Sequence, residues 1–106
     1  MEIEVTPEAA AWFDENVGIP VDQKDAGVRF KTMIYASSPV NPGFGLAIEP
    51  NSPKNPVAQY TTDQGLLFFI EESDEWFFEG HDLRVEFDAE KEEPKYIYLK
   101  DGVAIN

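Results

Sequence analysis

Gln64-Gly-Leu-Leu-Phe-Phe-Ile-Glu-Glu-Ser-Asp-Glu-Trp-Phe-Phe-Glu-Gly-His-Asp-Leu-Arg-Val-Glu-Phe87 reads as a buried strand, a short acidic helix and a second strand. Positions 66–70 are apolar throughout, the pattern of a strand covered on both faces and therefore central in a sheet. Ser73 stands where a side chain can cap a helix over residues 74–78, and Gly80 ends it. Trp76, Phe77 and Phe78 are consecutive, so one short helix cannot bury all three. Phe77 and Phe78 are expected inside and Trp76 at the edge. Residues 83–87 then form the second strand.

On the N-terminal side, residues 57–62 and 66–70 make a hairpin around Asp63-Gln64-Gly65. Beyond the quoted stretch, a charged link over 88–94 leads to a last strand at 95–99. The chain opens with the alternating Glu2-Ile-Glu-Val5, a short strand. Thr6-Pro7-Glu8 then starts a helix: Thr6 caps, Pro7 has no N–H to leave unpaired, and Glu8 favours the positive dipole end. Ala9, Ala10, Phe13 and Val17 share one helical face, and Gly18 with Pro20 marks the stop. Residues 27–35 are a long strand with Val28, Phe30, Thr32 and Ile34 on one face. Arg29, Lys31, Met33 and Tyr35 lie on the other, only partly covered face. A loop over 36–43 precedes a strand at 44–48. The three prolines within 50–56 suit a surface connection and no regular element. No internal repeat or boundary divides residues 1–106, which are expected to form a single domain.

An apolar share of 42% with fourteen aromatics predicts a folded domain rather than disorder. Eight Lys and Arg against 21 Asp and Glu leave a net charge of −13. Such a field repels phosphate backbones and anionic lipid and favours basic partners. Nucleic-acid and membrane binding are therefore not expected. Between Glu71 and Glu93, eleven acids face only Arg84 and Lys91, which concentrates −9 of the charge there. Two readings stand for this segment: a solvated face, or a docking surface for a protein with a basic surface. No basic start precedes an apolar run, and no stretch nears the roughly 20 residues of a membrane span. There is no cysteine, so disulfides, thiolate metal sites and thiol nucleophiles are ruled out. A cytoplasmic protein is expected.

His81, beside Asp82 and after Glu79-Gly80, is the one histidine. Glu79, His81 and Asp82 have the chemistry to hold a hard divalent cation, whereas a histidine just past a helix end ordinarily serves the helix dipole. Glu71, Glu72, Asp74 and Glu75 lack the spacing of a calcium loop, and acids at a helix start stabilise it without any catalysis. Ser37 and Ser38 have no Gly-x-Ser-x-Gly setting, and Gly43-x-Gly45 does not lead into a helix, so neither a serine triad nor a phosphate cradle is expected. No enzymatic activity and no cofactor are predicted. Ser37, Ser38, Trp76, Glu79, His81 and Asp82 are the expected protein-contact residues.

The element order from about residue 2 to 100 resembles the HesB-like family, the A-type iron–sulfur carriers and their relatives. The likeness rests on Thr6-Pro7-Glu8-Ala9-Ala10, Gly27-Val28-Arg29-Phe30 and Phe44-Gly-Leu-Ala-Ile-Glu49. Its most specific part is Gly65 to Phe87, with Glu71, Glu79-Gly80 and Leu83-Arg84-Val85 in the family's places. The closest similarity is to cysteine-free members from Gram-positive bacteria. The resemblance implies a mainly β (α+β) fold: two small packed sheets, an N-terminal helix and a short second helix. Where the carriers have ligand cysteines, this chain has Ala36-Ser37-Ser38-Pro39 and Asp101-Gly102-Val103-Ala104-Ile105-Asn106. Serine is a poor ligand for soft iron–sulfur cores. The resemblance therefore implies a non-enzymatic accessory or protein-binding module of iron–sulfur assembly, with self-association into a homodimer as a family habit. The alternative is a weak iron or divalent-metal handler using oxygen and nitrogen ligands.

Overall fold

A computed structural model describes residues 1–19 and 25–105 of the chain. In order they form β1 (Ile3–Val5), α1 (Pro7–Asn16), β2 (Gly27–Ile34), β3 (Phe44–Asn51), β4 (Pro56–Thr61) and β5 (Leu67–Glu71). A 3₁₀ turn (Glu72–Asp74) leads into α2 (Glu75–Phe78), followed by β6 (Asp82–Asp88), β7 (Glu93–Lys100) and β8 (Val103–Ala104). The strands build two four-stranded sheets, ordered β1-β6-β7-β8 and β3-β2-β5-β4. This is the expected mainly β (α+β) architecture of two small sheets with two short helices.

Each sheet contains one parallel pair, β1 with β6 and β2 with β5, and the rest is antiparallel. The apolar run lies where its composition requires. Strand β5 sits between β2 and β4, and Phe68, Phe69 and Ile70 are fully buried. Phe13 on α1 meets Phe68 edge-on at 5.2 Å and Phe30 of β2 at 6.0 Å. Phe30 in turn meets Tyr96 of β7 at 6.0 Å, so aromatic rings join the two sheets. Burying a side chain of this size contributes roughly 1.5–3 kcal/mol.

Local chemistry decides the ends of the elements. The Thr6 side chain accepts from the Ala9 N–H, as a helix N-cap should. Helix α1 ends at Asn16, before Gly18 is reached: Val17 is already extended, with its N–H bonded to the Phe13 carbonyl. Pro20 and Asn106 lie outside the described residues.

Strand β3 runs past Ile48 through Pro50 to Asn51, within the stretch expected to be irregular. It is an edge strand, and there a proline has no ladder bond to forfeit on its open side. Ser73 caps nothing; the turn after β5 is organised by its acids instead. The charged link tightens into a turn between β6 and β7, which pair from Asp82↔Leu99 to Asp88↔Glu93. The C-terminal residues, read as the place of lost ligands, form a further hairpin. Asp101 (φ 52°) and Gly102 (φ 80°) turn the chain back so that β8 pairs with the end of β7.

Candidate functional site

The loop between β2 and β3 and the middle of β7 enclose an open groove of about 290 Å³. Met33, Ala36, Ser37, Ser38, Gly45 and the rings of Tyr96 and Tyr98 are among its walls. The loop is held from within. Ser38 Oγ accepts from the Asn41 N–H at 3.1 Å and donates to the Asn41 carbonyl at 3.3 Å, while Val40 is buried beneath. A Cβ on Gly45 would lie 2.8 Å from that of Ala36, so the loop closes on the strand only because Gly45 has none. Burial pushes the Tyr96 hydroxyl up to about 12, with Glu93 adding to it. Burial does the same for Tyr98, also to about 12, with Tyr96 adding. Both rings are neutral near pH 7 and offer hydrogen bonds, not general-base chemistry.

Beside the groove, β2 leaves the body of the protein. Its burial fades along its length until Met33 is 44%, Ile34 60% and Tyr35 96% exposed. Tyr35 also holds φ 60°, the left-handed region that a bulky residue avoids. Ile34 lies opposite Phe44 in the β2–β3 register, and Phe44 meets the ring of Trp76 edge-on at 5.2 Å. Trp76 is 51% exposed, while Phe77 and Phe78 are buried against Tyr98, the division expected of the three aromatics.

The turn that presents Trp76 is built on two buried acids. Glu71 accepts the N–H groups of Lys54 and Asn55, each at 2.9 Å. Asn55 also donates through its side chain to Glu72. Asp74 accepts from Arg29 Nη2 at 2.9 Å and from the Thr32 N–H at 3.2 Å. The paired residues of β2 and β5 end at Arg29 and Phe69, so the Asp74 carboxylate supplies an acceptor that the strand no longer can. These acids shape the turn and are neither a catalytic pair nor a calcium loop.

Of the residues singled out in the sequence, Ser37 and Ser38 line the groove, Ser37 exposed and Ser38 occupied with its own loop. Trp76 stands next to Phe44, and Glu79 is exposed at the left-handed end of α2 (φ 48°). His81 and Asp82 do structural work. His81 Nδ1 lies 2.8 Å from the Phe78 carbonyl, and Asp82 accepts the Glu2 N–H at 2.8 Å, tying the turn to the start of the chain. Glu79, His81 and Asp82 therefore do not converge. Among the described residues no three His, Asp or Glu side chains stand together as a metal site, which removes the basis for metal handling. No described helix is long and apolar enough to cross a membrane. Sequence patterning passed over Ile34, Tyr35 and Phe44 as site residues. The available signal was charge: residues 32–48 contain no Asp, Glu, Lys or Arg, the longest such run in a chain that is 27% charged.

No family model matches the chain, and no solved structure matches it. Among characterised proteins, it is 32% identical over 98 residues to a Bacillus subtilis (strain 168) protein named pyruvate dehydrogenase inhibitor. The aligned region takes in 92% of this chain and 99% of that protein. This finding overturns the assignment to the HesB-like iron–sulfur carriers, and with it the role as an accessory module of cluster assembly. The motifs behind that assignment record turn chemistry, helix starts and strand order. These are features of a scaffold, and a scaffold does not specify a function. The chain belongs to the family of the Bacillus subtilis pyruvate dehydrogenase inhibitor.

Proposed function

We propose that this chain is a non-enzymatic, cytoplasmic inhibitor that acts on pyruvate dehydrogenase by binding it as a protein. The observation that carries this is the near end-to-end match to a protein named for that inhibition. The surface supports it. A net charge of −13 accompanies an exposed group of Met33, Ile34, Tyr35 and Trp76, a combination suited to a protein partner with a basic surface. Ser37, Trp76 and Glu79 are the contacts we assign from the sequence candidates, with Ser38, His81 and Asp82 supporting them from behind.

The test is a titration of the purified chain into Bacillus subtilis pyruvate dehydrogenase, reading the rate of pyruvate oxidation together with co-elution. Saturable inhibition is expected, with the chain eluting alongside the enzyme and inhibition weakening as salt rises. Full activity under excess chain, with no co-elution at low salt, overturns the proposal.

A further inference from the structure

We infer that the end of the β2–β3 hairpin, centred on Tyr35 and continued by Phe44 and Trp76, is the face that docks the enzyme. Its occupant is a protein recess with an apolar floor and a rim of lysine and arginine. This rests on the inhibitor function proposed above.

Tyr35 is the starting point. Its ring is 96% exposed, so burial does not account for an aromatic there. Its φ of 60° suits glycine or asparagine, so backbone preference does not account for it either. An exposed ring on a strained backbone gains nothing inside this molecule and has its use outside it. The surroundings agree. Residues 32–48 carry no charge and leave Met33, Ile34 and Tyr35 exposed at the free end of β2, where Ile34 lies opposite Phe44 in the register and the Phe44–Trp76 pair extends the apolar area onto α2. Protein interfaces have this composition at their centre: aromatic and methionine side chains with charge depleted. The groove at its side, between Ser37, Met33 and Tyr98, has room for one large side chain of the partner.

The rim identifies the occupant. Glu72, Glu75 and Glu79 are exposed on the turn and helix that carry Trp76. An apolar centre with an acidic border fits a partner bordered by basic residues. A second copy of this chain is the wrong complement, because it would set two chains of charge −13 against each other around the same acids.

The experiment compares wild type, Tyr35→Asn, Tyr35→Gly and Glu75→Lys in inhibition of pyruvate dehydrogenase, in thermal melting and in sedimentation. Asn and Gly both accept the left-handed backbone, so each variant is expected to melt at or above the wild-type temperature. Each should inhibit at least about tenfold more weakly. Glu75→Lys is expected to weaken inhibition at low salt and to flatten its salt dependence. If wild type inhibits and both Tyr35 variants inhibit equally well, the docking face is wrong while the inhibitor function stands. If wild type neither binds nor inhibits, the function falls and this inference with it. A wild-type dimer split by Tyr35→Gly, with inhibition unchanged, assigns the face to self-association and overturns the proposal.

Discussion

Two side chains carry most of what is particular to this molecule, one by defying a local rule and one by satisfying several. Tyr35 defies one: a non-glycine residue in the left-handed region costs roughly 1–3 kcal/mol. Asp74 satisfies several at once, since one buried carboxylate pairs with Arg29 and accepts the Thr32 N–H. Arg29 Nε and Thr32 Oγ1, buried beside it, find no partner among the described residues, and the longer contact of Arg29 Nη1 with Glu49 at 3.5 Å is what remains to the guanidinium without Asp74. Asp74→Ala is expected to destabilise the fold by roughly 2–4 kcal/mol, less than a fully buried ion pair would, because Arg29 is partly reachable by water. Asp74→Asn keeps one acceptor for Thr32 and should cost distinctly less. Urea unfolding midpoints of the two variants check this, and equal losses would mean that the hydrogen bond to Thr32 contributes nothing.

Elements of this fold meet at close backbone contacts, and Gly27 marks one of them. A Cβ on Gly27 would sit 2.5 Å from the Leu67 carbonyl oxygen, where β2 comes in beside β5. Backbone cannot yield there as a flexible side chain would. Gly27→Ala should therefore cost about 3 kcal/mol and open the centre of the second sheet. By contrast, a Cβ on Gly102 meets nothing, and only its positive φ opposes substitution. Gly102→Ala is expected to cost about 1 kcal/mol and to fray β8 alone. Hydrogen exchange separates the two cases: Gly27→Ala should speed exchange of Phe68 and Phe69, and Gly102→Ala only that of the last hairpin. At the first helix, Thr6→Ala should lower stability by about 1 kcal/mol through loss of the cap on Ala9.

Across the whole molecule, charge sets the response to pH and salt. The hydroxyls of Tyr96 and Tyr98 are raised from 10.0 to about 12 in the folded chain. A tyrosine whose folded pKa is raised keeps its proton while the unfolded chain loses one. The contribution to stability is thus complete below pH 10 and is lost as pH rises from there to about 12. The urea midpoint should hold steady up to pH 10 and then fall steeply. Tyr96→Phe with Tyr98→Phe should flatten that fall, and an unchanged slope would place the alkaline transition elsewhere. Both rings also wall the groove, so alkaline loss of structure and loss of inhibition should coincide.

The sequence alone determined the elements and their place in the core. A five-residue apolar run can be buried only in the middle of a sheet, a Thr-Pro-Glu start has one good conformation, and of three consecutive aromatics only two can face inward. These are rules of nearest neighbours. Tertiary structure decided the rest, because it depends on distant partners. Glu71 reaches the N–H groups of Lys54 and Asn55, and Asp74 reaches β2, so acids that read as a charged helix start are its internal fastening. Glu79, His81 and Asp82, adjacent in sequence, are turned apart by the left-handed end of α2 and the pairing that follows. The β8 hairpin was passed over, because its strand of two residues is too short to show a pattern of its own. Trp76 was legible at an edge, whereas Ile34, Tyr35 and the half-buried Phe44 showed only as part of the uncharged run 32–48. Alternation along β2 predicted a buried Ile34, and only the register with β3 and the position where the second sheet ends show that the strand has by then run out of protein to cover it.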